Sequence, residues 1–195
     1  MSAAGQVKTG YSLPYVAKYA ANGGTVTYTA GQKLARGVEA SFDIETSDDN
    51  KFYADNIEAE NDSGTFQGGT LNLTVDGLLA ASERMIMGLP AADTTTGLTA
   101  YGDSQKIPDV GVGFIYRYQS EGVVSYKPVI FPRVQFTQIT ESGSTQEDAI
   151  DWQTQELTAT IKRAEDANRN WRYFGNNETS EAAAEAVIKT FFSIT

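Results

Sequence analysis

The residues best suited to chemistry are carboxylates, which occur in pairs at alternate positions. Asp43 and Glu45 are separated by one residue, as are Glu58 and Glu60. Two carboxyl groups on one strand face approach the separation that glycoside hydrolysis requires. However, the chain contains no histidine and no cysteine, and no pocket-forming or proton-tuning residues accompany the pairs. We therefore interpret both pairs as solvated strand faces and predict that the protein is not an enzyme.

Two further polar motifs resemble ligand-binding sequences. Residues 48–50 with Asp55 offer oxygen ligands for Ca²⁺, but the EF-hand spacing and its closing glutamate are absent. The glycines of 64–69 are not followed by the GK[ST] residues of a phosphate-binding loop. Turns and bulges explain both motifs better, so we expect no metal site, no cofactor and no catalytic residues.

Aromatic and basic residues alternate at 116–118, where Tyr116, Arg117 and Tyr118 precede Tyr126. Such a group can stack on nucleic-acid bases. The formal net charge of −10, with 15 scattered Lys and Arg residues, disfavours the phosphate neutralisation that nucleic-acid binding needs. We therefore favour cross-strand pairs or contacts between subunits for these aromatic residues.

The stretch 111–163 predicts three strands at the centre of the fold, because apolar residues recur at every second position. The first strand has an apolar face formed by Val112, Phe114, Tyr116 and Tyr118. The second strand is divided around Pro132, with Val129, Phe131 and Arg133 on one face and Ile130, Val134 and Phe136 on the other. The third strand alternates polar residues with Leu157, Ala159 and Ile161.

The rest of the chain predicts further strands and two helices. Alternation indicates strands over 13–19, 25–29, 34–46, 51–61 and 70–76. In 34–46 the apolar residues are Ala40, Phe42 and Ile44, and the polar ones are Glu39, Ser41, Asp43 and Glu45. Asp76 as a cap and Gly88 as a stop predict a helix over about 78–87, and Thr179 or Ser180 begins a second helix ending near 192.

The predicted fold is therefore mainly β, an antiparallel β-sandwich with one α-helix packed on it and a second α-helix at the C-terminus. Residues 1–12 are small and polar and predict a flexible N-terminal arm, followed by a single domain over 13–195 with a long loop at 91–109. The sequence shows neither a signal-peptide pattern nor a run of about 18 apolar residues, so we expect no membrane association.

The order of these strand motifs resembles the major tail-tube proteins of long-tailed bacteriophages, especially the non-contractile type from phages of Gram-positive hosts. The residues that carry the resemblance are Gly113, Phe114, Tyr126, Val129, Phe131, Pro132, Val134, Phe136, Gln153, Thr154, Leu157 and Ile161. A second match covers KFYADN at 51–56 and GTLNLTV at 69–75. Together the motifs span most of residues 40–163.

The resemblance implies a structural subunit of the phage virion, assembled in the host cytoplasm. Its copies would form rings, expected to be hexameric, which stack into a hollow tube through which phage DNA passes without specific binding. The implied partners are the tape measure protein and the tail terminator and distal tail proteins. Contractile and bacteriocin-like tails share this fold, so the resemblance leaves these types open.

Particular residues are then expected to line the tube or to join its subunits. We expect the lumen to be lined by Asp43, Glu45, Thr158 and Thr160. We expect contacts between subunits at Tyr116, Tyr118, Tyr126, Phe131, Leu98 and Tyr101, and contacts between stacked rings at 1–12 and 91–109. Two rival interpretations remain, namely a baseplate or distal tail protein with a tube-like fold, and a β-sandwich module that binds carbohydrate or a receptor.

Overall fold

The computed structural model describes residues 5–48, 50–62, 64–141, 143, 145 and 152–194, and they form an antiparallel β-sandwich with two helices. In chain order the elements are β1 Val7–Asn22, β2 Thr25–Lys33, β3 Gly37–Thr46, β4 Asn50–Ala54, β5 Ile57–Asp62, β6 Phe66–Val75, α1 Ala80–Met87, β7 Asp109–Ser120, β8 Val123–Phe136, β9 Gln155–Ile161, β10 Tyr173–Phe174 and α2 Glu181–Phe191.

One long sheet contains most of the strands, in the order β2-β1-β7-β8-β9-β6-β3, with β10 paired to β8. The sheet curls over itself, so that β3 lies against β1 and β7. The hydroxyl of Tyr116 donates a hydrogen bond to the carbonyl of Ala40 at 3.2 Å, and the ring of Tyr11 covers Gly37 so closely that a Cβ there would collide with it. The two halves of the curled sheet thus form the two layers of the sandwich.

The main core fills the space between these layers. Its fully buried side chains include Phe114 and Phe131 from β7 and β8, and Leu71 and Leu157 from β6 and β9. A second, smaller core lies on the opposite face of β1, β7 and β8, where α2 packs. Because both faces of β7 are covered, residues 110–116 are buried without interruption.

The polar and apolar alternation predicted for three strands is confirmed. Leu71, Leu73 and Val75 of β6 are buried, as are Leu157, Ala159 and Ile161 of β9. In β3 the apolar residues Ala40, Phe42 and Ile44 pack against the main core, while the polar residues between them are exposed. The predicted mainly β fold with two helices is therefore confirmed.

The alternation in β8 differs from the prediction because of a β-bulge. Val134 pairs with Val110, but Phe131 pairs with Val112, so β8 carries one extra residue at this point. An extra residue reverses which face the following side chains occupy. Val134 and Phe136 therefore share the main core with Val129 and Phe131, while Ile130 alone of the apolar set belongs to the second core.

Two of the predicted segment boundaries are also wrong. Residues 51–61 were expected as one strand, but they form a hairpin of β4 and β5 that turns at Asp55 and Asn56, both with positive φ. A flexible arm was expected over 1–12, but β1 begins at Val7, and its residues 7–12 already pair with β7. Residues 1–4 lie outside the described part of the chain.

Both helices agree with the prediction in position, and only the N-terminal cap of α1 differs from it. Ser180 caps α2 by accepting a hydrogen bond from the backbone N–H of Ala183 at 3.2 Å, and Gly88 ends α1 in the left-handed conformation. Asp76, the expected cap of α1, instead forms an ion pair with Arg36. The long loop between α1 and β7 contains no helix or strand in the structure.

Candidate functional site

Three neighbouring strands, β3, β6 and β9, present one continuous polar face to solvent. Directly paired residues of an antiparallel sheet point to the same side, so each row of this surface crosses all three strands. The rows are Glu39–Thr74–Glu156, Ser41–Asn72–Thr158 and Asp43–Thr70–Thr160, and Glu45 with Gly68 begins the next. We call these eleven residues the polar face.

Burial of the alternate residues fixes this orientation. Leu71, Leu73 and Leu157 are at most 2% exposed. Burial of each of these side chains stabilises the fold by about 1.5–3 kcal/mol. A register slip of one residue would exchange the two faces and expose this core. The polar face is therefore held outward by the packing beneath it.

The charge of the polar face is entirely negative. Glu39, Asp43, Glu45 and Glu156 contribute four carboxylates, and β3, β6 and β9 contain no lysine or arginine. Lys162 directly follows β9, but its ammonium group is bound at 2.8 Å to the carboxylate of Asp109 and to the side-chain oxygen of Gln135. The polar face therefore repels phosphate groups and attracts none of them.

The remaining groups of the polar face are hydroxyls and an amide. Thr158 donates a hydrogen bond from its hydroxyl to the side-chain oxygen of Asn72 at 3.0 Å. A shallow recess of about 200 Å³ lies over these strands, with Glu39, Asn72 and Glu156 among its lining residues. Within the described residues, no group of three or more acidic side chains is arranged to hold a metal ion. The polar face is therefore a largely flat surface without a metal-binding group among the described residues.

Two strands of the polar face, β3 and β9, have an edge that the described strands leave wholly or partly unpaired. β3 is the terminal strand of the sheet. Among the described residues, β9 pairs with β6 along its whole length, but with β8 only at Ala159, Thr160 and Ile161. The carbonyl of Thr158 accepts one further bond, from the backbone N–H of Thr137 at 2.8 Å. Beside the first residues of β9 lies a groove of about 650 Å³ whose lining includes residues 137–141 and 153–158. Unpaired strand edges offer backbone donors and acceptors to another chain.

The structure brings all four residues predicted for the lumen onto this one face. Asp43, Glu45, Thr158 and Thr160 are exposed, and Asp43 and Thr160 lie in the same row across Thr70. Glu39 and Glu156 were not predicted as lumen residues, although their period-two spacing from Asp43 and Thr158 would have identified them.

The residues predicted for contacts between subunits fall into three groups by their burial. Phe131 is fully buried and Tyr116 is 2% exposed, so their side chains pack inside the subunit and that prediction does not hold for them. Tyr118 and Tyr126 are half-buried. Leu98 and Tyr101, in the long loop, are 72% and 49% exposed and remain free to meet another copy.

The loop that carries Leu98 and Tyr101 is fastened to the body of the protein. The hydroxyl of Tyr101 donates a hydrogen bond to the carboxylate of Glu83 in α1 at 2.5 Å, and this bond raises the pKa of Tyr101 to about 12. The side chain of Gln105 donates to the backbone carbonyl of Met87 at 2.8 Å. The loop is therefore presented in a defined position beside α1.

No protein-family model matches this sequence, and no curated protein matches it either. Among the described residues, neither helix is long and apolar enough to cross a membrane.

Proposed function

We propose that this protein is a structural tail-tube subunit of a long-tailed bacteriophage, whose copies form stacked rings, expected to be hexameric, around a channel for phage DNA. The observation that carries the proposal is the polar face, a three-stranded surface with four carboxylates and no basic residue. The order of strand motifs that resembles tail-tube proteins supports the same function.

Open strand edges supply the means of ring formation. The polar face is bounded by β3 on one side and by the half-paired β9 on the other. If β3 of one copy pairs beside β9 of the next, the polar faces join into one barrel and the unpaired backbone groups are satisfied. A contact of this head-to-tail kind closes into a ring when the rotation between copies allows it.

The proposed channel conducts DNA passively. Carboxylates lining the bore would repel DNA phosphates over roughly the Debye length, about 8 Å at physiological ionic strength. The uncharged hydroxyl and amide groups between them offer weak hydrogen bonds that water can replace. DNA would therefore move along the wall without adhering to it.

The proposed partners follow from the same assignment. The tape measure protein would occupy the channel before DNA, and the terminator and distal tail proteins would meet the two ends of the tube. The protein would be assembled in the host cytoplasm and would reside in the virion.

Electron microscopy of the purified protein tests the proposal. We expect rings or tubes with a stain-filled central hole, and the count of subunits per ring follows from class averages. A monomer at every concentration tested, or a compact assembly without a hole, would contradict the proposal and favour the β-sandwich binding module. If the protein is found only at the ends of tubes that another protein forms, the baseplate or distal tail assignment is favoured.

Because the chain contains no cysteine, single cysteines report which surface faces the bore. Thr160→Cys places a thiol on the polar face, and Thr190→Cys places one on the exposed side of α2. In assembled tubes a polymer-linked maleimide too large for the bore should label Thr190→Cys but not Thr160→Cys, while both variants react after disassembly. Equal labelling of the two variants in tubes would show that the polar face is not internal.

A further inference from the structure

Three cations from distant parts of the chain meet at one end of the sandwich, and we call Lys8, Lys127 and Arg172 the cationic cluster. Lys8 lies opposite Tyr118 in the β1–β7 pair, and Lys127 lies opposite Tyr116 in the β7–β8 pair. Since paired residues share a side, both lysines project from the same face of the sheet.

Two aromatic rings, Tyr116 and Phe174, hold the members of the cationic cluster. The charge of Arg172 also acts on the hydroxyl of Tyr116, the ring on which Lys8 lies, and opposes the rise in its pKa that burial causes. The ammonium group of Lys8 lies 3.6 Å from the ring centre of Tyr116. The guanidinium carbon of Arg172 lies 4.3 Å from the ring centre of Phe174, and the ammonium group of Lys127 lies 5.1 Å from the same ring. These stacks hold the charged groups in place through their apolar sides.

The charges of the cationic cluster are not paired with any described carboxylate. Among the described residues, none accepts a hydrogen bond from Lys8, Lys127 or Arg172, and none forms an ion pair with them. By contrast, Arg36, Arg133, Lys162 and Lys189 each bind a carboxylate. Partial burial lowers the pKa of Lys8 and of Arg172, which shows that part of their hydration is lost without a carboxylate in exchange.

An acidic occupant for such a surface exists within the chain itself. The β4–β5 hairpin, residues 50–62, carries Asp55, Glu58, Glu60 and Asp62 against a single base, Lys51. Its two strands pair with each other and belong to no other sheet. Two-stranded hairpins are marginally stable alone in water, so a docking surface would stabilise this one.

We propose that the cationic cluster binds the acidic β4–β5 hairpin of a second copy of this chain. The fork of Arg172 donors and the two ammonium groups supply several charge-assisted hydrogen bonds to carboxylates. Steering by opposite charges would also accelerate encounter between copies that each carry a net charge of −10. The inference rests on the proposed function in that it requires the copies to assemble.

Charge reversal on each partner separately, and then on both, tests this contact. Lys8→Glu with Lys127→Glu reverses the receiving surface and leaves the stacked Arg172 in place. Glu58→Lys with Glu60→Lys reverses the hairpin. Sedimentation velocity should show self-association weakened about tenfold or more for either double variant alone, and restored when the two variants are mixed, because each then offers one complementary pair of surfaces.

Matched controls separate this contact from general charge effects. Lys18→Glu with Lys33→Glu lowers the net charge by the same amount as the cluster variant, at exposed positions outside the proposed contacts. Lysine at the exposed positions Asn168, Ala182, Ala186 and Thr190 together raises it by the same amount as the hairpin variant. We expect these variants to associate within about twofold of the unaltered protein. Thermal unfolding of all variants verifies that they are folded before association is compared.

Three outcomes would overturn the inference. The first is that the cluster and hairpin variants assemble as the unaltered protein does, which would leave the proposed tube function intact. The second is that mixing the two variants restores nothing. The third is that the cluster variants lose affinity for duplex DNA at low salt but keep their self-association, which would make the cluster a phosphate site. Failure of the unaltered protein to assemble would instead contradict the proposed function together with this inference.

Discussion

Removal of the Phe192 ring should measure how much the packing of α2 against β7 contributes to the stability of the protein. Phe192 is fully buried, and its ring lies against β7 where Gly111 and Gly113 leave room for it. A Cβ at Gly111 would be 2.5 Å from a ring carbon of Phe192, and one at Gly113 would be 2.9 Å from another. The ring also makes an edge contact with Tyr28, with centroids 4.9 Å apart.

Phe192→Ala should lower the free energy of unfolding by about 3–5 kcal/mol, since it removes a buried aromatic side chain and leaves a cavity. Urea unfolding followed by tryptophan fluorescence measures this loss. Val187→Ala is the matched control on the same helix, because Val187 is 39% exposed and should cost about 0.5 kcal/mol or less. A loss below about 1 kcal/mol for Phe192→Ala, or equal losses for both variants, would refute the description of α2 as a packed support.

Three further predictions concern single polar contacts. Ser180→Ala removes the cap of α2 and should cost about 1 kcal/mol in urea unfolding, with faster amide exchange in the first turn. Asp109→Asn removes the carboxylate charge that binds both Arg133 and Lys162. Because this side chain is only 18% exposed, the free energy of unfolding should fall by about 1.5–3 kcal/mol. Tyr101 should ionise late in a spectrophotometric pH titration, because its hydrogen bond to Glu83 raises its pKa from 10.0 to about 12. The stabilisation from this bond is fully present below pH 10.0 and is lost as the pH rises through about 12.

Each of these predictions has a control that isolates the contact. Thr179→Ala removes a hydroxyl beside the cap and should change stability by less than about 0.5 kcal/mol. Glu165→Gln removes the 57% exposed partner of Arg133 and should cost less than about 1 kcal/mol. Glu83→Gln should lower the pKa of Tyr101 toward its ordinary value. Asp109 binds both Arg133 and Lys162, whereas Glu165 binds Arg133 from an exposed position. Equal effects of Asp109→Asn and Glu165→Gln would therefore contradict the prediction.

The faces of β3, β6 and β9 were predictable from the sequence because a strand with one buried side has a period of two. Leu71 and Leu157 are buried while Asp43 and Thr158 are exposed, as alternation alone requires. The order of these strands was not predictable in the same way. Pairing of β6 with β9 joins distant parts of the chain, from Val75 with Gln155 to Gly69 with Ile161, and no local pattern encodes such a pairing.

Local irregularities account for the predictions that failed. The bulge in β8 reverses the faces of Val134 and Phe136, and nothing in their spacing reports an extra residue opposite Val110. The aromatic residues Tyr116 and Phe131 were assigned to contacts between subunits, but the curled sheet buries both. The cationic cluster was missed because Lys8, Lys127 and Arg172 come from three separate segments and meet only in the folded chain.

A three-dimensional reconstruction of the assembled protein by electron cryomicroscopy tests the central claim most directly. The account predicts a hollow assembly in which Asp43, Glu45, Thr158 and Thr160 from every copy face the central channel, and in which β3 and β9 of neighbouring copies are adjacent. An assembly whose channel is lined mainly by lysine and arginine, or whose polar face points outward, would contradict it.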